Sequence, residues 1–516
     1  MTRSGTAAIP RGPDGNHRGN DHEHSDEPKS LTAKFLHQPN DNRCDINSVP
    51  TTCGAVIIPL FASCLFVTSY IVSQITMPND HDISLGPAAS RRTFLHSGTA
   101  ATVAAASGLV TRPLRGTEPD TVRPTVRIGL VGAGGRGGGA IDNSMSVNDN
   151  VKLVAIADVN EQKPISLLRR AEPKYGARAA VTAEKIYSGI DGYRNVLEDP
   201  DVDLVVFATP PGFRPRHILE AVEAGKHVFA EKPTCVDPAG YHICRKAHVI
   251  AEANGTSIVT GTQYRRQTSY IEAVRRLHEG AAGEIIGSQM RYCASGIWYR
   301  PRKDGMSDTE YQIHNWMHFI WLSGDQIAEQ AVHNVDTMNW IMGGPPELAY
   351  GGGGRFTRPD DSQMWDNMAI DYIYPGNRIC SFMCRQVPNT DTDNSNVLYG
   401  SDGIMTIYGG DRGSVLTDRE GTELWSMGGN IGAAYQQEHK DLVDAIVSGN
   451  PIVELNDTND SSLTAVMGRM AAYSGKRVTW DFVTKESKLD LFPQDLRFDG
   501  EMTNPPFAVP GKKTLT

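Results

Sequence analysis

The chain has 516 residues, 39% hydrophobic and 21% charged, with a formal net charge of −10. That length exceeds one domain and can bury a sizeable core. The acidic balance excludes the basic face that a nucleic-acid partner requires.

Residues 1–52 are polar, rich in His, Asp, Asn and Pro, and carry no apolar period, so they read as disordered. The stretch CGAVIIPLFASCLFVTSYIVSQI, residues 53–75, has no charge and is long enough to span a bilayer, which makes it a membrane-tether candidate. From Met77 onward the chain reads as a complete export leader. It has a polar start, Arg91-Arg92, a weakly apolar run and a small-residue cleavage option at Ala104-Ala105-Ala106. Ser90-Arg91-Arg92-Thr93-Phe94-Leu95 resembles the twin-arginine consensus; the alternative is a chance arginine pair in a linker. Translation is therefore expected from Met77, with residues 1–76 an upstream extension and residues 77–124 a leader and linker. The expected location is periplasmic, or otherwise exported, and such a start leaves the 53–75 stretch outside the protein.

TVRIGLVGAGGRGGGAI opens the folded part with a β-branched run at 126–131. Gly132-Ala133-Gly134-Gly135-Arg136-Gly137 follows at once, which is G-x-G-x-x-G in its required place after a strand. Such glycines permit a tight turn and close approach of a pyrophosphate to a helix N-terminus. A second strand, VKLVAIADVN, ends in Asp158, where an acid takes ribose hydroxyls. A carboxylate there repels a 2′-phosphate, which favours NAD over NADP. The strand at 201–211 ends in Thr209-Pro210-Pro211, RHILEAVEAGK reads as a helix closed by Gly225, and HVFAEKPT is a strand ending in Glu231-Lys232-Pro233. TSIVTGTQ, 256–263, is the next strand. Alternating helices and continuous apolar strands make a parallel α/β sheet. Its ligands bind beyond the carboxyl ends of the strands, where Thr209, Pro210, Glu231 and Lys232 lie. A lysine at such a tip beside a nicotinamide can polarise or protonate a sugar hydroxyl or carbonyl; otherwise it is a surface lysine in a turn.

These residues, with Asp158, ATPP, AGKHV and EKP in this order, resemble the glucose–fructose oxidoreductase / inositol dehydrogenase (Gfo/Idh/MocA) family over roughly residues 125–480. The resemblance implies an α/β fold: a Rossmann domain, assigned to 125–263, then an α/β domain with a large, open, mostly antiparallel sheet, assigned to 264–516. It implies a small-molecule carbohydrate substrate and a homo-oligomer formed through that sheet. The family lysine of EKP maps onto Lys232.

From residue 264 the pattern changes. IIGSQMRYC, MAIDYIYPGNRICSFMCRQ and GIMTIYGG alternate like strands, with Pro375-Gly376-Asn377 as a hairpin turn. YQQEHKDLVDAIVSGNP and SSLTAVMGRMAAYSGK have helical spacing and glycine stops. Of the 8 cysteines, Cys44, Cys53 and Cys64 precede the arginine pair. Cys235, Cys244, Cys293, Cys380 and Cys384 match no zinc spacing. Cys380 and Cys384 share one strand face and read as buried thiols.

In DQIAEQAVHNVDTMNWIM, residues 325–342, helical spacing puts Glu329, His333 and Asp336 on one face. The resemblance maps the family's substrate-site His and following Asp onto His333 and Asp336, with Glu329 where the family has Asp. His333 is the candidate acid/base. Glu329 orients it or contacts substrate. The alternative is a polar helix face with a satisfied histidine. A metal site is the other chemistry open to such a set, but no further ligand pattern accompanies it, so none is expected. Trp298, Trp316, Trp321 and Trp340 cluster in sequence with Tyr299, Tyr311 and Phe319, near Arg265, Arg266, Arg300 and Arg302. Aromatic faces and guanidinium groups suit a sugar, possibly acidic or sulfated, with Arg265, Arg266, Trp298 and Tyr299 as substrate candidates; core packing and solvated surface explain them equally well.

The expected function is an exported NAD-dependent oxidoreductase acting on a sugar, polyol or derivative, with its cofactor tightly bound. Redox-neutral, NAD-dependent glycosidase or lyase chemistry is the enzymatic alternative. A non-catalytic sugar-binding protein is the alternative from another class.

Overall fold

The computed structural model describes residues 123–515. The expectations placed on the disordered segment, the apolar stretch and the arginine-pair leader lie outside the described residues. Among those described, no helix is long and apolar enough to cross a membrane.

The first sheet contains β1 (Val126–Val131), β2 (Val151–Asp158), β3 (Ile186–Ser188), β4 (Leu204–Phe207), β5 (His227–Ala230) and β6 (Ile258–Thr260). Their order is β3-β2-β1-β4-β5-β6, every pair parallel. This is the doubly wound order, whose topological switch point falls between β1 and β4. The central strands are apolar throughout because both faces are covered. On one face lie α1 (Gly135–Val147) and α2 (Gln162–Tyr175), which bury Ala140, Ile141, Met145, Leu167 and Leu168. On the other lie α3 (Gly192–Glu198), α4 (Arg214–Glu223) and α5 (Pro238–Asn254).

After α6 (Thr268–His278) comes β7 (Ile285–Ala294), then four short helices: α7 (Asp308–His314), α8 (Ile320–Ser323), α9 (Asp325–Glu329) and α10 (Val332–Met342). The second sheet adds β8 (Leu348–Gly354), β9 (Asn367–Tyr374), β10 (Arg378–Gln386), β11 (Asp393–Gly400), β12 (Gly403–Tyr408), β13 (Ser414–Asp418), β14 (Glu423–Met427) and the short β15 (Val478–Thr479). Its order is β14-β13-β12-β11-β7-β10-β9-β8-β15, and only the β7–β10 pair is parallel. The β9–β10 hairpin turns at Gly376 and Asn377, both with positive φ, as the Pro-Gly-Asn signal requires. Cys380, Phe382 and Cys384 face the core, and all three are buried.

The remaining helices are α11 (Ile431–Ser448) and α12 (Leu455–Ser474). Helix α12 is buried almost end to end and touches both α5 and β8. Helix α11 returns to the first sheet: Leu442 and Val443 join its core, and the His439 ring stacks on Phe229 at 4.1 Å. The Ile258 N–H then donates to the Ile452 carbonyl at 2.7 Å, beside a parallel bridge between Ile258 and Val453. A division at residue 263/264 places this segment with the second domain; its burial places it with the first sheet.

Candidate functional site

The site forms at the switch point of the first sheet. Gly132, with φ +94°, turns the chain out of β1; a Cβ there would meet the Ala208 backbone at 2.8 Å. A Cβ at Gly137 would sit 1.9 Å from the Gly132 carbonyl oxygen, so the first turn of α1 packs against the loop only as glycine. Gly134 and Gly135 face open space, with no atom within 4 Å of a built Cβ. Helix α1 has no side-chain cap and no acidic residue in its first turn, which leaves its N–H groups and positive dipole end open to an anion.

Asp158, at the carboxyl end of β2, is buried. Its two oxygens accept hydrogen bonds from the Ala133 N–H at 2.8 Å and the Asn160 N–H at 2.9 Å, and Lys163 Nζ lies 3.5 Å away. Each oxygen keeps a lone pair for a hydroxyl donor. Gly132, Gly134, Gly135, Arg136, Asp158, Thr209, Pro210, Glu231 and Lys232 all line one cavity of about 430 Å³. Gly137 lies behind the loop and serves its packing.

Arg136 ion-pairs with the buried Glu231, lies 4.3 Å over the Tyr435 ring and comes within 3.9 Å of Glu438. Both Glu438 oxygens are buried without a hydrogen-bond partner. Burial, then the Glu231 charge, push its carboxyl well above the ordinary range. Arg214 is buried too. It donates to the Lys232 and Pro233 carbonyls and, at 2.7 Å, to the Thr209 carbonyl, tying the ends of β4 and β5 together. The neighbouring His217 is pulled down to about 3 by burial and by the Arg214 charge.

At the far end of the cavity, Lys232 Nζ donates to the Glu329 carbonyl and lies 3.4 Å from Glu329 Oε1. His333 shares this corner. Burial, then the charges of Lys232 and Arg136, hold its imidazole well below the ordinary value. The expected continuous helix over 325–342 is broken: α9 stops at Glu329, and α10 begins at Val332. The Gln386 side-chain amide donates to Gln330 at this break. Glu329 and His333 still reach the cavity together, whereas Asp336 does not line it. The Arg265 guanidinium grips Asp336 with two hydrogen bonds of 2.9 Å, and Ser461 Oγ donates to it at 2.8 Å.

Arg265 also meets Asp457, and Arg266 meets Glu454 and Asp441. Both arginines are absent from the cavity wall and pin the segment before α6 to α10, α11 and α12. Trp298 lines the cavity, as do Arg300 and Trp316. Tyr299 sits outside the wall, its hydroxyl donating to Asp361 at 3.1 Å. Tyr311, Phe319 and Trp321 are core residues of a satellite cluster. Arg302 is paired with Asp308, and Trp340 carries Arg265 on its ring face. Sequence inspection missed Arg214, Gln263, Tyr193 and Tyr435. Arg214 had a local signal, since Pro215 marks a helix start directly beyond the β4 tip; Tyr435 had none, because it arrives on a helix some 300 residues after the glycine loop.

Two family models match the chain. One, described as an oxidoreductase family with an NAD-binding Rossmann fold, matches residues 126–259; the other, the GFO/IDH/MocA C-terminal domain, matches residues 270–406. Among curated relatives, an inositol 2-dehydrogenase of Gluconacetobacter diazotrophicus is 25% identical over 40% of this chain and 58% of its own length. A glycosyl hydrolase family 109 protein of Solibacter usitatus is 35% identical over 21% of this chain and 24% of its own. The chain thus spans about half, or less, of the length of these relatives. Among solved structures, the aldose–aldose oxidoreductase of Caulobacter crescentus superposes with a TM-score of 0.55 at 17% identity, covering 69% of this chain and 99% of that one. The WlbA dehydrogenase of Bordetella pertussis, in complex with NADH and UDP-GlcNAcA, gives 0.52 at 21% identity, covering 69% and 98%. These structural likenesses carry the fold, while the two family models together span more than half of the sequence: the chain belongs to the Gfo/Idh/MocA oxidoreductase family.

Proposed function

We propose that this chain is an NAD-dependent dehydrogenase acting on a hydroxyl of a sugar, polyol or sugar derivative. One observation carries this: the glycine loop, Asp158 and the Lys232–Glu329–His333 group line a single cavity. The residues fit a dinucleotide. Gly134 and Gly135 leave the α1 N-terminus open for the diphosphate, Asp158 accepts ribose hydroxyls, and Thr209, Pro210 and Glu231 flank the path to Lys232. The Asp158 charge makes NADP the poorer fit. When bound, NAD supplies the hydride acceptor. His333, held neutral, takes the proton of the substrate hydroxyl. The Lys232 ammonium stays beside that oxygen and stabilises the charge that develops there. Glu329 orients Lys232, and Trp298 and Trp316 offer flat apolar faces for a ring.

The test is turnover of NAD with a panel of aldoses, inositols and uronic acids, followed at the NADH absorbance band. Lys232→Met and His333→Ala are each expected to lower turnover by about a hundredfold or more. Unchanged turnover in both variants overturns the roles given to Lys232 and His333, and sugar binding with no NADH formed by the wild type leaves a non-catalytic sugar-binding protein. Redox-neutral glycosidase chemistry is a second reading, favoured by the similarity to two proteins named glycosyl hydrolase family 109, at 35% and 32% identity over 21% and 30% of this chain. Release of a nitrophenol from a glycoside with no net NADH would select it.

The Arg91-Arg92 leader supports a further proposal: translation from Met77 and twin-arginine export of the folded, cofactor-loaded protein. Peptides from residues 1–76 in the mass spectrum of the native protein would contradict that start.

A further inference from the structure

We infer that residues 295–316, braced by the C-terminal segment 489–502, form a fixed roof that keeps the dinucleotide in its cleft, with Arg300 as its charged contact. This rests on reading the cavity as an NAD site. It adds a holding device that neither the glycine loop nor the Lys232 corner supplies.

The segment between β7 and α8 carries only α7 and a 3-10 turn at Trp316–His318 as regular structure, but its interior is apolar. Tyr311 and Ile313 join Phe319, Trp321, Leu322 and Phe213 in a core cluster separate from those of the two sheets. Val159, which follows Asp158, and Ile190, two residues past β3, pack into the same cluster. The segment therefore closes over the carboxyl ends of β2 and β3, at the ribose side of the cleft. Beneath it, Trp298, Arg300, Ile313 and Trp316 line the cavity that Gly134, Gly135 and Asp158 line from below.

The C-terminal segment fastens this roof. The Phe492 ring meets Phe213 and Trp321 edge-on at 5.8 and 5.9 Å, and the Arg216 guanidinium lies 3.8 Å over it. The Leu491 N–H donates to Asp237 at 2.8 Å, and the Met502 N–H donates to Asp308 at 3.1 Å. One strap thus joins α4, the start of α5 and α7. A lid that opens on each turnover is drawn from weakly held structure. This segment is instead held by a packed cluster and by hydrogen bonds at several points.

Arg300 gives the roof its charge. Its guanidinium lies 4.2 Å over the Trp298 ring and donates to the His314 carbonyl at 3.0 Å. Among the described residues it has no carboxylate within ion-pair distance. Burial, then the charges of Arg300, Lys303 and Lys163, hold His314 below its ordinary range, so these cations act on one region. Lys163 is also the partner of Asp158, which places that region at the nucleotide end. A diphosphate is the anion the facing glycine loop is shaped for, and a guanidinium above it supplies a charge-assisted contact.

The experiment loads the full chain with radiolabelled NAD, removes free nucleotide by gel filtration and follows release into excess unlabelled NAD. The wild type is expected to keep close to one NAD per chain through the column. Arg300→Gln, at an exposed side chain, is expected to release it about tenfold faster or more. Phe492→Ala, outside the cavity, is expected to do the same by loosening the strap. Release from both variants at the wild-type rate overturns the roof. Exchange by the wild type within the time of the column overturns it as well, while leaving the NAD site intact. Failure of the wild type to bind NAD at any concentration overturns the functional proposal itself.

Discussion

Burial and the positive charges of Lys232 and Arg136 hold the His333 imidazole well below its ordinary value of 6.5. The form that accepts a proton is the neutral one, so the depression keeps the base available as pH falls through the usual imidazole range. Oxidation activity should therefore persist below pH 6.5 and fail only at a lower pH. Removing one of the two charges should move the midpoint up: an NMR titration of the His333 ring in Lys232→Met is expected to lie above that of the wild type. An unmoved midpoint would show that the Lys232 charge does not reach His333. At this scale the sequence was legible where a residue sits at a strand tip, as Asp158, Glu231 and Lys232 do, because strand ends are visible in the apolar runs. Asp336, Arg265 and Arg266 were legible only as charges. Their mutual pairing depends on α10, α12 and the segment before α6 meeting in space, and pairing turns candidate ligands into a brace.

Helix α11 shows why elements are harder to place than to find. Its 3.6-residue period is plain in YQQEHKDLVDAIVSG, but the sheet it covers is coded some 200 to 300 residues earlier. The same distance hid Tyr435, while the break between α9 and α10 was hidden by a local period that runs straight through it. Within α11, His439 is fully buried, stacks on Phe229 and has no partner for either ring nitrogen. Burial, then the Arg136 charge, pull it down to about 3. A base depressed in the fold binds its proton first in the unfolded chain. Its stabilisation is full above 6.5 and is lost as pH falls toward the folded value, at about 1.4 kcal/mol per pH unit. His439→Phe keeps the ring contact and removes both the buried polar atoms and the proton uptake. The variant should melt higher than the wild type and lose less stability between pH 6.5 and 4. A parallel loss of melting temperature in both proteins would count against His439 as an acid-sensitive point of this seam.

At the scale of the whole molecule, the two sheets were legible through their periods: continuous apolar runs for the first, alternation for the second. Strand order was not, since β7 pairs with β10 and β11 across about 100 residues of intervening chain. That order has a consequence for assembly. The second sheet buries one face under α10 and α12 and leaves the other without a covering layer among the described residues. On the bare face, Tyr350, Ile379 and Met383 are 55%, 50% and 46% exposed, on strands β8 and β10, which flank β9. These apolar side chains flank a polar centre, where Ser381 Oγ donates to Asp371 at 2.6 Å, and an exposed sheet face of this mixed kind fits an association surface. The occupant we propose is a second copy of the chain, because a twofold axis pairs such a face with itself. Light scattering is expected to give a mass of at least two chains for the wild type. Ile379→Glu with Met383→Glu places like charges at the centre of that contact and should yield monomers. NAD binding should survive in the double variant, because α10 and the cavity lie on the opposite side of the sheet. A monomeric wild type, or an oligomer indifferent to both charges, would leave this face without the partner assigned to it.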